Sequence, residues 1–175
     1  MKVTIRRVNL YDADMLSALG KQTFFDTFTG TCSEEDMQQF LDECFNLDQV
    51  KKELANENDF FFLAEADGIP AGYIRIMEDY GHFELMKKWK ALELKRIYVD
   101  KPFHGKGVAQ HLIQFVENFA IENKYEVIWL GVWEHNLKAK KFYEKSGFKD
   151  SGHTHDFPIG NTPQTDNWLW KFLNW

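Results

Sequence analysis

Chemistry is concentrated first in the segment His104-Gly105-Lys106-Gly107-Val108-Ala109. Two glycines stand just ahead of an apolar-periodic run that reads as a helix. A helix start carries several backbone N–H groups without intrahelical partners, and the macrodipole adds partial positive charge there. Small residues let a phosphate or pyrophosphate come close to those groups, so an anion can be held without a dedicated lysine. Two other phosphate-binding patterns do not fit. The Walker pattern GxxxxGK[ST] is absent, and Gly105-Lys106-Gly107 is not followed by the third small residue of the dinucleotide fingerprint. Taken alone, the glycines are compatible with an anion site and equally with a tight turn that holds nothing.

The segment needs a strand before it and a helix behind it, and the pattern supplies both. Residues 92–99 read as a strand, and residues 108–123 as a helix whose stripe is Val108, Leu112, Phe115, Val116 and Phe119. Upstream, residues 3–8 alternate as a strand does. Asp12 can cap a helix bearing Met15, Leu16 and Leu19 on one face. Ser33 opens a second helix with Glu34, Glu35 and Asp36 in its first turn, followed by Met37, Phe40, Leu41, Cys44 and Phe45 at helical spacing. A short helix is expected near 49–55. Strands at 60–66 and 71–78 flank the hairpin signal Asp67-Gly68. After a looser Lys-rich stretch and the central unit, residues 127–133 read as a buried strand. Asn136 caps a helix ending at Gly147, and strands at 148–157 and 167–173 close the chain. The order predicts an α/β (mixed α+β) fold, one domain over residues 1–175, with a central sheet and helices on both faces.

Composition narrows the function classes. Hydrophobic residues make up 44% of 175, enough for a sizeable core in one domain. The aromatic load of 16% suggests that some rings line pockets or interfaces, although core packing accounts for most. The net charge is −6 and no long basic run occurs, so a nucleic-acid partner is not expected. Cys32 and Cys44 are too few for a disulfide framework, and neither they nor the histidines have metal-ligand spacing, so no metal is expected. The first residues lack the apolar core of a signal peptide, and no apolar run approaches the ~20 residues of a membrane helix. A cytoplasmic protein without a membrane partner is expected. The aromatic run Trp168-Leu169-Trp170-Lys171-Phe172 and Trp175 can feed a homodimer interface or form the inner face of a last strand.

The segment 97–112 resembles the acetyl-CoA motif Q/R-x-x-G-x-G/A of the GCN5-related N-acetyltransferases. It departs from that motif at its first position, where His104 stands in place of Gln or Arg. A second stretch, from Asn136 to Phe148, matches the family's N-x-x-A-x-x-F-Y-x-x-x-G-F through Asn136, Ala139, Phe142, Tyr143, Gly147 and Phe148. The resemblance implies a mostly antiparallel twisted sheet of about seven strands. It implies acetyl-CoA as cosubstrate, held by the backbone of His104, Gly105, Lys106, Gly107, Val108, Ala109 and Gln110. It also implies pairing of the pantetheine arm with Ile97, Tyr98 and Val99, and contact from Asn136. Leu92-Glu93, Arg96-Ile97-Tyr98, the 128–134 strand, Gln164-Thr165-Asp166 and Thr23-Phe24-Phe25-Asp26-Thr27-Phe28 are similar to bacterial spermidine/spermine N-acetyltransferases. This implies a small-molecule amine acceptor such as a polyamine, with Asp26, Phe28 and Glu134 on the acceptor side; a protein or peptide amine as acceptor, and a non-catalytic acetyl-CoA-binding sensor, are the alternatives.

Acetyl transfer to an amine needs a neutral amine, a polarised thioester carbonyl and a proton for the departing thiolate. An alkyl ammonium has a pKa near ~10.4, so a base is required near neutral pH. Glu93, on the strand leading to the glycine segment, is the candidate, with Glu134 and Asp26 behind it. Ion pairing of Glu93 with Lys95 or Arg96 is the alternative. Tyr143 is the candidate acid, since a phenol near ~10 can protonate a thiolate near ~8.5. The resemblance places the family's acid tyrosine there, while packing beside Phe142 would also explain it. Polarisation of the carbonyl is expected from a backbone N–H at 97–99. Asn136 is sufficiently explained as a cap.

Overall fold

In a computed structural model the structure describes residues 1–78 and 83–173. Seven strands form one sheet in the order β1-β2-β3-β4-β5-β7-β6. They are β1 (Val3–Arg7), β2 (Asp59–Ala66), β3 (Ile69–Met77), β4 (Ala91–Val99), β5 (Val127–Trp133), β6 (Lys149–Asp156) and β7 (Thr165–Phe172). Every pairing is antiparallel except β4 with β5. That parallel pair needs a crossover, which α4 (Val108–Glu122) provides. Helices α1 (Ala13–Phe28), α2 (Glu34–Cys44) and α3 (Leu47–Leu54) cover one face, and α4 with α5 (Leu137–Lys145) covers the other.

The two faces have separate cores. On the α4/α5 side, Leu112, Val116 and Ala120 pack on Ile74, Ile76, Leu92, Leu94, Ile128 and Leu130. On the other side, Leu16 and Val50 meet Phe61, Leu63 and Tyr73, and an aromatic group of Phe24, Phe28 and Phe45 joins α1 to α2. A buried ionic cluster lies under α3. Arg75 on β3 binds Asp59 at 2.6 Å and Glu53 at 3.0 Å, and Arg96 reaches Glu53 at 3.2 Å.

Local features follow from single residues. Ser33 and Asn46 cap α2 and α3 by accepting from the amides of Asp36 and Gln49. Asp67 and Gly68 both take positive φ, as a tight hairpin turn requires. The Asp12 side chain does not cap α1 as expected. It binds Arg6 at 2.9 Å and accepts from the Asn9 amide, so its oxygens are spent before the helix starts. The third helix begins two residues before its expected start, because Asn46 supplies the cap. Trp168 is buried against Phe83 and Trp129, so this part of the aromatic run is the inner face of β7; Trp175 lies outside the described residues. No helix of the described residues is long and apolar enough to cross a membrane.

Candidate active site

The site is built where β4 and β5 part. The two strands pair only at Ala91, Leu92 and Glu93, opposite Val127, Ile128 and Trp129. Beyond this, β5 continues along β7 to Trp133, while β4 continues along β3 to Val99. Residues 94–99 therefore have β3 on one side and, among the described residues, no strand on the other. A bulge at Lys95 accompanies the parting: Arg75 faces Arg96, and Ile76 faces Leu94. The extra residue adds local bend and twist and turns the following side chains over. Leu94, Ile97 and Val99 pack on the α4 side, while Tyr98 packs on the α1 side.

The glycine segment lies at the end of the free β4 edge. Asp100 donates its amide to Ala71, and a short 3-10 helix, Lys101–Phe103, turns the chain towards α4. Gly105 (φ 74°) and Gly107 (φ 85°) take left-handed backbone, which a Cβ would strain. Gly107 is the N-cap of α4 and has no side chain to cap it, so the first amides of that helix are left for another acceptor. A Cβ at Gly105 would meet nothing within 4 Å, so the space above the turn is open. His104 is exposed, and its Nε2 donates to the Val99 carbonyl at 2.7 Å. That side chain clips the turn to the strand. Lys106 and Gln110 are exposed, Ala109 is half-buried, and Val108 is buried in the α4 core.

Tyr143 enters from α5 and is buried at 7% exposure. Burial, and then the Asp166 carboxylate, push its phenol well above its usual range. Burial and the neighbouring Tyr73 do the same to Tyr98. Asn136 caps α5 by accepting from the Ala139 amide at 3.1 Å. Glu93 is buried at the vertex where the strands part, with Lys95 Nζ 3.8 Å from its carboxylate. Leu92 and Leu94 share the α4-side core with Tyr143, so Glu93, between them, lies on the other face of the sheet from that phenol.

The other acceptor-side candidates are spread out. Phe28 is buried against Phe24, with ring centroids 4.5 Å apart, and against Trp133 at 6.0 Å. Asp26 pairs with Lys101 at 3.4 Å, and the half-buried Glu134 turns to His135 at 3.5 Å. A residue given no role from the sequence borders the same Trp133 that Phe28 meets. Asp166, on β7 opposite Trp133, is buried, and burial holds its carboxyl up at about 7. Two signals in the sequence could have found it. Asp166 precedes Trp168 by two, which puts a carboxyl on the aromatic face of a strand. Gly131 interrupts an otherwise apolar strand, and such a glycine often marks a close approach by another group.

Comparison with known proteins gives the same architecture. A model of the Acetyltransferase (GNAT) family matches residues 21–148. The chain is 37% identical over 171 residues to an N-acetyltransferase encoded in the pepI 3'region of Lactobacillus delbrueckii subsp. lactis, covering 98% of both chains. It is 28% identical to the N-acetyltransferase Rv2669 of Mycobacterium tuberculosis, covering 89% of this chain and 94% of that one. Among solved structures, the PaiA N-acetyltransferase of Thermoplasma acidophilum in complex with coenzyme A aligns with a TM-score of 0.78 at 21% identity, over 99% of this chain and 100% of that one. This last likeness is one of fold.

Proposed function

The chain belongs to the acetyltransferase (GNAT) family and is an acetyl-CoA-dependent N-acetyltransferase, and we propose that it passes the acetyl group directly to a primary amine, a polyamine such as spermidine or spermine. The observation that carries direct transfer is the parting of β4 from β5 with side chains on both faces of the gap. An extended, amide-bearing arm ending in a pyrophosphate suits an unpaired strand edge that runs into a glycine turn and a helix N-terminus. In this reading Ile97, Tyr98 and Val99 offer backbone to the arm and polarise the thioester carbonyl through an N–H group. The amides of Gly105 and of residues 107–110 take the pyrophosphate; contrary to the sequence expectation, those of His104 and Lys106 already donate to the Lys101 and Phe103 carbonyls, and the His104 side chain, engaged with Val99, takes no part.

Each residue then has one task. Tyr143 holds a proton at neutral pH, because burial raises its phenol, and delivers it to the departing sulfur. Asn136 fixes the start of α5 and with it the phenol. Glu93, at the vertex, is the carboxylate named from the sequence for the amine proton.

A small acceptor is supported by how the far end of the gap is bridged. Asp36 on α2 accepts from the Asn161 amide at 2.9 Å and from Thr162 Oγ1 at 2.7 Å, and Gln164 donates to Thr31 Oγ1 at 3.0 Å. The β6–β7 loop is thereby tied to the α1–α2 region, with Phe157 against Phe40. A protein acceptor asks for an open groove, whereas a methylene chain with cationic ends suits rings and carboxylates under such a tie.

The test is release of free thiol from acetyl-CoA with a panel of polyamines, peptides and other amines. Turnover with spermidine or spermine is expected, and Tyr143→Phe should lower kcat by about 10²-fold or more with acetyl-CoA affinity retained. Turnover confined to peptides would overturn the polyamine assignment. Unchanged kcat in Tyr143→Phe would remove that phenol from the mechanism.

A further inference from the structure

Gly131 is an anomaly in β5. The strand reads Val127-Ile128-Trp129-Leu130-Gly131-Val132-Trp133, and Gly131 is exposed while both its neighbours are buried. A glycine within a strand weakens it, so its presence asks for a steric reason. The reason lies above it. A Cβ at this position would come 3.0 Å from Asp166 Oδ2 and 3.2 Å from His155 Nε2. Those two residues are paired in register across β6 and β7, and their side chains approach each other at 3.8 Å. Carboxylate and imidazole thus lean together over the one bare stretch of β5, two residues past the point where β5 leaves β4.

The surroundings fit a site for a cationic nitrogen. Asp166 stands opposite Trp133, whose ring meets Phe28 at 6.0 Å, so aromatic faces border the carboxylate. Tyr98, on β4 across the gap, and Tyr143, on α5, both feel its charge. The titratable groups that bear on Asp166 are therefore His155 from β6, Tyr98 from β4 and Tyr143 from α5. Glu134, though its backbone N–H donates to the Thr165 carbonyl nearby, points its carboxylate at His135. Glu93 differs in position: it sits where the strands are still joined, with Lys95 3.8 Å away.

We infer that Asp166 is the group that receives the proton of the acceptor ammonium, and that His155 is a positioning residue that orients the carboxylate and carries its proton on to water. The inference rests on the amine-acetylating reading above and moves the base from Glu93 to β7. A base works best when its pKa is near the working pH, and burial has brought this carboxyl up to about 7. The ammonium gives one proton to Asp166, and the neutral nitrogen forms the new N–C bond at the acetyl carbonyl carbon. The C–S bond breaks, its electron pair leaves on sulfur, and that sulfur takes the Tyr143 proton. The second nitrogen proton restores the phenol, and Asp166 releases its own through His155. One amide, one thiol and one proton are the products.

The experiment is the pH profile of kcat/KM with spermidine, or with the best amine of the panel, alongside calorimetric binding of acetyl-CoA. The wild-type profile should show an acidic limb near 7. Asp166→Asn should lose about 10²–10⁴-fold in kcat at pH 7, keep its acetyl-CoA affinity, and recover towards pH 10, where the amine is neutral unaided. His155→Gln should displace the limb with a smaller loss, which a merely structural role would not do. Persistence of the limb in Asp166→Asn, or its disappearance in Glu93→Gln instead, would overturn the inference while leaving the amine reading intact. A wild-type enzyme that acetylates no amine would sink both. In addition, ¹³C NMR of the Asp166 carboxyl, assigned by difference from Asp166→Asn, should titrate near 7; titration near the ordinary ~4 would overturn the assignment whatever the acceptor.

Discussion

An ionised carboxylate in a poorly solvated place costs stability, and Asp166 is in that position. Its folded value, about 7, lies above its ordinary 3.8, so between those two pH values the folded chain binds more protons than the unfolded one. Stability must then fall as pH rises through that window, with the full cost present above it. The cost is at most roughly 4 kcal/mol. Asparagine has the same shape and no charge to bury. Asp166→Asn should therefore gain about 1–4 kcal/mol in urea denaturation at pH 8 and nothing below pH 4, while losing activity. A loss of stability at pH 8 would mean that His155 compensates the carboxylate in the folded state. Residues fixed by local pattern were legible from the sequence: the glycines at 105 and 107, the cap Asn136 and the placing of Tyr143 on α5. For Asp166 the sequence could show a carboxyl on an aromatic strand face but not its raised protonation, because the burying environment is made by β7 lying against β5 and by His155 across from it, and neither adjacency is local in the chain.

At the scale of the element, the turn between β4 and α4 combines strained backbone with open space. Gly107→Ala should cost about 1 kcal/mol of stability through left-handed strain, because a Cβ there meets only His111 Nδ1, at 3.9 Å. If the amides of this turn hold a pyrophosphate, the same Cβ should weaken acetyl-CoA by about tenfold or more, worth ~1.4 kcal/mol beyond the strain. Calorimetric titration together with thermal melting separates the two effects; unaltered affinity would deny the turn its role. The strands and α-helices of the described residues were readable, because periods of 3.6 and 2 are properties of local sequence, whereas the short 3-10 helices at Leu10–Asp12, Glu84–Lys88 and Lys101–Phe103 were not. Nor was the bulge at Lys95. Strict alternation from Leu92 would put Arg96 among the α4-side apolar residues, whereas the bulge turns it to meet Glu53. The cap assigned to Asp12 failed for a related reason: Arg6, from the neighbouring strand, competes for its carboxylate.

At the scale of the whole molecule, two of the polar ties that join the helical cover to the sheet should fail differently. Arg75 holds Asp59 and Glu53 beneath α3, all three buried. Arg75→Met leaves two buried carboxylates without that guanidinium and should cost about 3–5 kcal/mol in chemical denaturation. Asp36 instead ties α2 to the β6–β7 loop at the periphery. The Asn161 amide and the Thr162 hydroxyl hold its carboxyl below the usual range. Its contribution is therefore present above the ordinary 3.8 and is lost as pH falls through the depressed value. Since this tie bridges the far end of the gap, its removal should act on the acceptor alone. Asp36→Ala is expected to raise the amine KM by about tenfold, with kcat and acetyl-CoA affinity close to wild type. Steady-state kinetics with each substrate varied in turn checks this. A fall in kcat at constant KM would instead mean that the tie sets the geometry of the gap itself, through Phe28, Trp133 and Asp166.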